Sequence, residues 1–550
     1  MLKLDTIPKL LDHICQKYRD LDSFIDYDPK HKTQSKITYH DLPLHITSFQ
    51  NLLPENCSRI VIYLSSNTKW LKIFFAIVCS GRIAILVDGN LEPEKILLQI
   101  KQSKADLIIT DNSRLEKIKA VNIINELPQI LNISNQEGCL SSGLIAINPF
   151  DYNNITEETI AVIIYTSGST GNPKGIVLSH LALCTSTIAN IECISYGNEG
   201  FNSLVVLPLW HILGLANAVL TLMFKGCRLY FIQTMKPNHI ISTLNECKIY
   251  HLGVTPAFCE MIYKKINQGI EELPWYKKLL IKLLHKICFY LLYVSQRLSH
   301  KIANILFKFL RKKVAEDFEF IISGGARLNP QIVLNLLSFG YIVIQGYGLS
   351  EVCGGVTFTK PFDYAANCVG VLNDDCKVTI INENENGVGE ICIKTKQLMN
   401  GYLNQPELTK EVYTEDGWFK TGDLGYLDKE SRLYICGRLK DIIVTSAGKN
   451  IYPDDIEHYF SHDIDIDEVC VYGEQNLDGE DLVMIIKPSP LLEDSKAKAQ
   501  LLKKIQEQNL THPSYHQVQK IIFTEDDLPR TPAKKIDRNK VRLNFMKLVK

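Results

Sequence analysis

Short, continuous apolar runs separated by helix-length stretches are the feature that most restricts how this chain folds. Ile60-Val61-Ile62-Tyr63-Leu64, Ile83-Ala84-Ile85-Leu86-Val87 and Leu107-Ile108-Ile109 alternate with helix-like segments such as Ser66 to Cys79 and Glu92 to Gln102. Strands that are apolar at every position are buried on both faces, so the alternation predicts parallel strands joined by crossover helices. Ile160 to Tyr165, Ser203 to Leu207 and Phe318 to Ile322 continue the pattern, each followed by a loop rich in Gly, Ser, Thr or Pro.

The pattern changes after about Cys368. Val378 to Ile381, Glu390 to Ile393 and Leu433 to Cys436 are short strands broken by Asn386-Gly387 and Asp416-Gly417 turns, which predicts a small antiparallel subdomain. Beyond residue 438 a separate unit is expected, with a helix from Pro453 to Phe460, strands near Glu468 to Tyr472 and Leu482 to Lys487, and a charged helix from Ser495 to Gln508. From Lys277 to Lys313 there are ten Lys or Arg and no Asp or Glu, interleaved with Leu, Ile, Phe and Tyr; this predicts one or two basic amphipathic helices.

A net charge of -1 over 550 residues gives no electrostatic reason to expect a nucleic-acid partner. The 16 cysteines include no CxxC pair, so neither a zinc knuckle nor a dithiol site is signalled, and they read as reduced core thiols. No secretory h-region follows Met1 to Leu10, and runs such as Ile73 to Cys79 are far shorter than the ~20 residues of a membrane span. The expected compartment is the cytoplasm, with peripheral contact to anionic membrane through residues 277–313.

The densest chemical signal is Tyr165-Thr166-Ser167-Gly168-Ser169-Thr170-Gly171-Asn172-Pro173-Lys174-Gly175, directly after a buried strand. Backbone N–H groups and hydroxyls in such a turn can surround phosphate oxygens, and Lys174 adds a positive charge. The spacing is not that of a Walker loop. This segment resembles the signature of the ANL superfamily of adenylate-forming enzymes, which includes acyl-CoA synthetases, and the resemblance continues in order along the chain. It is closest in character to long-chain fatty acid–CoA ligases, through the basic insertion at about 265–315.

The resemblance implies an α/β fold. A large N-terminal domain, residues 1–438, would hold two βα-layered sheets and a small β-barrel subdomain at about 369–437, hinged to a small α+β C-terminal domain, residues 439–550. Thr166, Ser167, Gly168, Ser169, Thr170, Gly171 and Lys174 would bind the phosphates of ATP, with Thr166 and Glu351 holding Mg²⁺. His211, in Pro208-Leu209-Trp210-His211-Ile212-Leu213-Gly214, would lie beside the acyl site. Gly324, Gly325 and Ala326 would line one side of the adenine, and Tyr347, in Gln345-Gly346-Tyr347-Gly348-Leu349-Ser350-Glu351, would stack on the other. Asp423 and Arg438 would hold the ribose, Lys440 would be the hinge, and Gly448 and Lys449 would line a thiol channel. In Thr531-Pro532-Ala533-Lys534-Lys535-Ile536, Lys535 takes the place of the catalytic lysine, and Lys534 stands where the family usually has glycine.

The implied reaction consumes ATP and a fatty acid, passes through acyl-AMP, releases pyrophosphate and transfers the acyl group to coenzyme A. Lys535, His211, Lys174 and Glu351 are its expected catalytic side chains. Transfer to an acyl carrier protein, or release of acyl-AMP as from a fatty acyl-AMP ligase, is the alternative, and a catalytically silent lipid-binding scaffold the remoter one.

Overall fold

The computed structural model of this chain describes residues 3–120, 127–134, 150, 154–167, 173–191, 199–445, 449–460, 465–476, 479–489, 495–530 and 536–545. It packs as two units, residues 1–377 with 394–419, and residues 378–393 with 420–550.

The larger unit contains the expected α/β alternation. Arg59–Tyr63, Ile83–Leu86, Leu107–Thr110, Gln129–Asn132 and Ile160–Ser167 belong to one sheet and pair in parallel. The crossover helix Thr68–Cys79 starts where the Asn67 side chain accepts from the Trp70 N–H, and it buries Trp70, Phe74 and Phe75. Pro93 opens the next helix, Pro93–Ser103, and Lys104 in the left-handed region ends it. At its far edge the sheet turns antiparallel: Ile160–Ser167 pairs with Pro173–Ser179, which pairs with Gly401–Tyr402.

A second sheet runs in the order Thr33–Thr38, Asp22–Asp28, Arg228–Ile232, Asn202–Val205, His251–Val254, Phe320–Ser323, Ile342–Leu349, Gly354–Phe358 and Cys368–Leu372. Its centre is parallel, while Thr33–Thr38 and the last two strands pair antiparallel. The basic segment differs from expectation, forming three helices, Trp275–Val294, Gln296–Leu306 and Lys308–Val314. Ser295 is the reason for the first break: its backbone is extended, and its hydroxyl caps the following helix by accepting from the Leu298 N–H.

In the smaller unit, Ile466–Gln475, Glu480–Pro488 and Lys520–Phe523 form a sheet that is buried on both faces. Val469, Val471, Met484 and Ile486 pack with Ile456, Phe460, Leu501 and Ile505 on one side. Cys470, Tyr472, Val483 and Ile485 pack with Leu528, Val541 and Phe545 on the other. Burial of alternate residues on opposite faces explains why these strands are apolar throughout. The described cysteines are free and, apart from Cys436, buried. No helix among the described residues is long and apolar enough to cross a membrane.

Candidate active site

Thr166 lies opposite Lys174 across the hairpin formed by Ile160–Ser167 and Pro173–Ser179, and Ser167 lies opposite Pro173. Lys174 therefore stands on a strand rather than in a loop, while Gly168, Ser169, Thr170 and Gly171 fall outside the described residues. Pairing of Tyr402 with Ile176 brings a further group to this hairpin, and Leu403 N donates to the Gly175 carbonyl at 2.7 Å. Lys174 Nζ is 5.2 Å from the centroid of the Tyr402 ring, within cation–π range. The Tyr402 hydroxyl in turn donates to Glu351 Oε1 at 3.0 Å. Burial, reinforced by the Glu351 carboxylate, pushes the Tyr402 phenol far above its ordinary pKa, so the hydroxyl remains a donor.

Lys174 and Glu351, two of the expected site residues, are thus joined through a residue that sequence reasoning passed over. Tyr402 lies 51 residues from Glu351, and its only local signal is a Gly-Tyr dipeptide.

Gln345, Gly346, Tyr347, Gly348 and Leu349 lie within a strand, Ile342–Leu349. The strand changes partners partway. Ile342 to Gln345 pair in parallel with Phe320–Ser323, and Gly346 to Leu349 pair antiparallel with Gly354–Phe358. Ser350 and Glu351 then enter the 3₁₀ turn Ser350–Val352. The return strand passes so close that a Cβ on Gly348 would stand 1.7 Å from the Gly354 carbonyl oxygen. Gly348→Ala is expected to cost about 1–3 kcal/mol of stability as the backbone shifts to relieve the overlap, read as a lowered urea midpoint.

Gly324, Gly325 and Ala326 follow the strand Phe320–Ser323, where Gly324 N donates to the Val254 carbonyl at 3.2 Å. A Cβ on Gly324 would lie 3.5 Å from a Leu213 methyl group, so the glycine segment and the His211 segment are neighbours. His211 is held in a turn whose Leu209 N–H donates to Ser66 Oγ at 2.9 Å and whose own N–H donates to the Pro208 carbonyl at 3.2 Å. The chain then enters a π-helix, Leu213–Leu220. Gly214 permits this turn, since a Cβ there would sit 2.1 Å from the Pro208 oxygen. Burial lowers the His211 pKa, which favours the neutral ring at pH 7. Beside the π-helix is a small cavity lined by Leu207, Leu213, Ala218, Val254, Ile322 and Phe358 together with Asn190, Asn217 and His251.

In the smaller unit, Asp423 is buried and pairs across its hairpin with Arg438, whose Nε lies 3.3 Å from Asp423 Oδ1. Lys440 is exposed in the 3₁₀ turn Leu439–Asp441. The exposed Lys449 accepts from Thr445 N at 3.1 Å through its carbonyl. Gly448 and Lys535 lie outside the described residues.

A family model for AMP-binding enzymes matches residues 11–403, and one for the AMP-binding enzyme C-terminal domain matches residues 440–550. The chain belongs to the AMP-binding enzyme family. As a member of the ANL superfamily it is an adenylate-forming enzyme, an acid–thiol ligase.

Long chain acyl-CoA synthetase 1 of Arabidopsis thaliana is 26% identical over 471 residues, which cover 79% of this chain and 70% of that protein. 4-Coumarate–CoA ligase 1 of Arabidopsis thaliana is 25% identical over 538 residues, covering 92% of this chain and 85% of that one. The fold of this AMP-binding enzyme is shared with a crystal structure of ATP-bound MatB from Rhodopseudomonas palustris. The TM-score is 0.77 at 20% identity, over 99% of this chain and 100% of that chain.

Proposed function

We propose that this enzyme uses ATP and Mg²⁺ to convert a medium- or long-chain fatty acid to acyl-AMP with release of pyrophosphate, and then transfers the acyl group to the thiol of coenzyme A. The observation that carries the reading is the line of contacts from Lys174 over Tyr402 to Glu351, on the hairpin of Ile160–Ser167 and Pro173–Ser179. A carboxylate lacks a good leaving group, and the mixed anhydride with AMP supplies one, so the work of the site is charge stabilisation around a transferring phosphoryl group.

Lys174, Thr166, Ser167, Gly168, Ser169, Thr170 and Gly171 are assigned to the phosphates. Bound Mg²⁺ would neutralise charge on the triphosphate, with Glu351 and Thr166 as its protein ligands. One carboxylate and one hydroxyl fit that ion, which usually takes few protein ligands and completes its shell with phosphate oxygens and water. Among the described residues there is no group of three or more His, Cys, Asp or Glu that could form an all-protein cage. Tyr402, by donating to Glu351 Oε1, fixes the orientation of the carboxylate. Gly324 to Ala326 and the Gln345 to Ser350 strand, with Tyr347, are assigned to the adenine. Asp423 is assigned to the ribose hydroxyls with Arg438, Lys535 to the adenylation step, Lys440 to the hinge, and Gly448 with Lys449 to the thiol. His211, neutral and two residues from the cavity-lining Leu213, is assigned to the acid.

The apolar part of the cavity lining supports a fatty acyl chain, as does the similarity to a long-chain acyl-CoA synthetase. A second reading, a shorter or aromatic acid, is favoured by Asn190, Asn217 and His251 in the same lining. Burial lowers the His251 pKa to about 3, so its ring is neutral; Nδ1 meets Ser203 Oγ at 2.9 Å, and Nε2 has no partner among the described residues. The test is pyrophosphate release with acetate, hexanoate, decanoate, palmitate and 4-coumarate, and AMP release with and without coenzyme A. The fatty acid reading expects decanoate or palmitate to exceed acetate and 4-coumarate by about tenfold or more in kcat/KM, the ~1.4 kcal/mol that two buried methylenes readily supply. Preference for 4-coumarate or acetate would overturn that reading, and AMP release indifferent to coenzyme A would remove it as acceptor.

A further inference from the structure

The helix Trp275–Val294 has two apolar faces, and only one of them is covered. Ile281, Cys288 and Leu292 are buried in the core of the larger unit. The His285 ring stacks on Phe339 with centroids 4.1 Å apart, and its Nε2 is 2.7 Å from Ser338 Oγ. On the other side Tyr276, Leu280, Leu283, Ile287, Tyr290 and Val294 are exposed. Their spacing of 4, 3, 4, 3 and 4 residues keeps them in one stripe, about 27 Å long at 1.5 Å per residue. Trp275 is 76% exposed at one end, and Tyr293 is 71% and Val294 79% exposed at the other. Soluble proteins rarely leave a continuous apolar surface of this length in water without a partner for it.

We propose that this stripe inserts into the interfacial region of an anionic lipid surface, with the helix lying in the membrane plane. Two features of the helix select lipid as the occupant. Exposed aromatic side chains stand at both ends of the helix, Tyr276 and Tyr290 on the stripe and Trp275 and Tyr293 beside it, and rings with a polar edge suit the boundary between headgroups and acyl chains. The charge beside it is of one sign. Between Lys277 and Lys313 there is no acidic residue, and Lys277, Lys286 and Lys301 have no carboxylate partner among the described residues. Glu271 pairs with Lys278 at 2.8 Å and approaches Lys282 at 3.8 Å, and Glu316 pairs with Lys312 at 3.0 Å, so the acids next to the segment cancel only part of its charge. Two copies meeting through this face would set lysines against lysines, whereas an anionic leaflet supplies the opposite sign.

The geometry also separates this contact from simple charge attraction, which salt abolishes. An inserted apolar stripe holds in salt, so binding has a part that salt removes and a part that it does not.

The experiment is co-sedimentation of the full chain with vesicles of phosphatidylcholine, or of phosphatidylcholine and phosphatidylserine at about 7:3, in low and in high salt. The wild-type chain is expected to bind the anionic vesicles in low salt and to retain a measurable fraction in high salt. Leu280→Gln/Leu283→Gln, which changes no charge and touches only exposed positions, is expected to weaken binding about tenfold or more at both salt levels. Lys277→Glu/Lys286→Glu is expected to weaken it only in low salt. Far-UV circular dichroism and activity on a water-soluble short acid serve as folding controls, and both variants should match the wild-type chain in them. Equal binding by the wild-type chain and the leucine double variant overturns the proposal, as does no binding to either vesicle. Self-association without lipid that the leucine variant abolishes also overturns it, by showing the stripe to be a protein interface.

Discussion

Arg538→Ala is expected to destabilise the smaller unit by about 3–5 kcal/mol while leaving the larger unit folded. Arg538 is largely buried and gathers three carboxylates from different segments. It donates to Asp441 Oδ2 at 2.8 Å, to Asp454 Oδ1 at 2.6 Å, and to both oxygens of Glu457 at 2.9 and 3.0 Å. Asp441 ends the turn that contains Lys440, Asp454 and Glu457 lie on the helix Pro453–Phe460, and Arg538 begins the helix Arg538–Phe545. Removing the guanidinium strands three acids at one point, and an uncompensated buried charge is among the costliest defects a core can carry.

Burial pushes the Glu457 pKa up, and Arg538 is the main influence opposing it. In the alanine variant that opposition is gone, so folded Glu457 binds a proton at a pH where the unfolded chain does not. The folded state then holds more protons than the unfolded state, and stability falls as pH rises through the weakly acidic range. Acidification should therefore recover part of the loss. Arg538→Lys should recover little, because a single ammonium cannot serve Asp441 from one nitrogen and Asp454 with Glu457 from another, as the guanidinium does.

The four tryptophans, Trp70, Trp210, Trp275 and Trp418, all belong to the larger unit, which makes the test selective. In urea the variant should show an early transition by far-UV circular dichroism with an unchanged midpoint by tryptophan fluorescence. Coincident shifts in both signals would show that Arg538 stabilises the whole chain and not one unit.

How far the fold is visible in the sequence depends on burial. Strands such as Ile60 to Tyr63 and Val483 to Ile486 are covered on both sides, so their apolar runs are uninterrupted and plain to see. The amino-terminal hairpin is the opposite case. Asp22–Asp28 mixes acids with Phe24, Ile25 and Tyr27, and Thr33–Thr38 is an edge strand of Thr, Gln, Ser and Lys with one Ile, so neither has the pattern of a buried strand. The π-helix Leu213–Leu220 is apolar like any core helix. Its wider turn shows only in contacts such as Thr221 Oγ1 donating to the Ala216 carbonyl, five residues back.

The candidate site divides in the same way. Glycines and hydroxyls clustered after a strand announce a ligand turn because few other uses need them together. The strand that contains Gly346 and Gly348 was harder to place, since its change from a parallel to an antiparallel neighbour depends on chain that has yet to return. Tyr402 was out of reach for the same reason: its value comes from Glu351 and Lys174, which are distant in sequence.

Lys535→Ala is expected to reduce adenylation about 10³-fold and to leave thioester formation from supplied acyl-AMP within a fewfold of the wild-type rate. The two half-reactions place different demands on a cation. Attack of a carboxylate on the α-phosphate brings two anions together, so an ammonium at the phosphoryl group stabilises the transition state more than the ground state. Attack of a thiolate on the acyl-AMP carbonyl occurs at carbon, and AMP is already a good leaving group. The residues that flank 531–535 are held in place. Arg530 bridges to Ile536, Asp537 N donates to the Pro529 carbonyl at 2.7 Å, and Glu468 accepts from Leu528 N at 2.8 Å and pairs with Arg530. Two adjacent lysines leave the register to experiment, and Lys534→Ala is expected to stay within a fewfold of wild type in both half-reactions. Pyrophosphate release and thioester formation, measured separately for each variant, decide the matter. Equal loss of both half-reactions in Lys535→Ala would remove the role from that residue, and the same selective loss in Lys534→Ala would move it one position back.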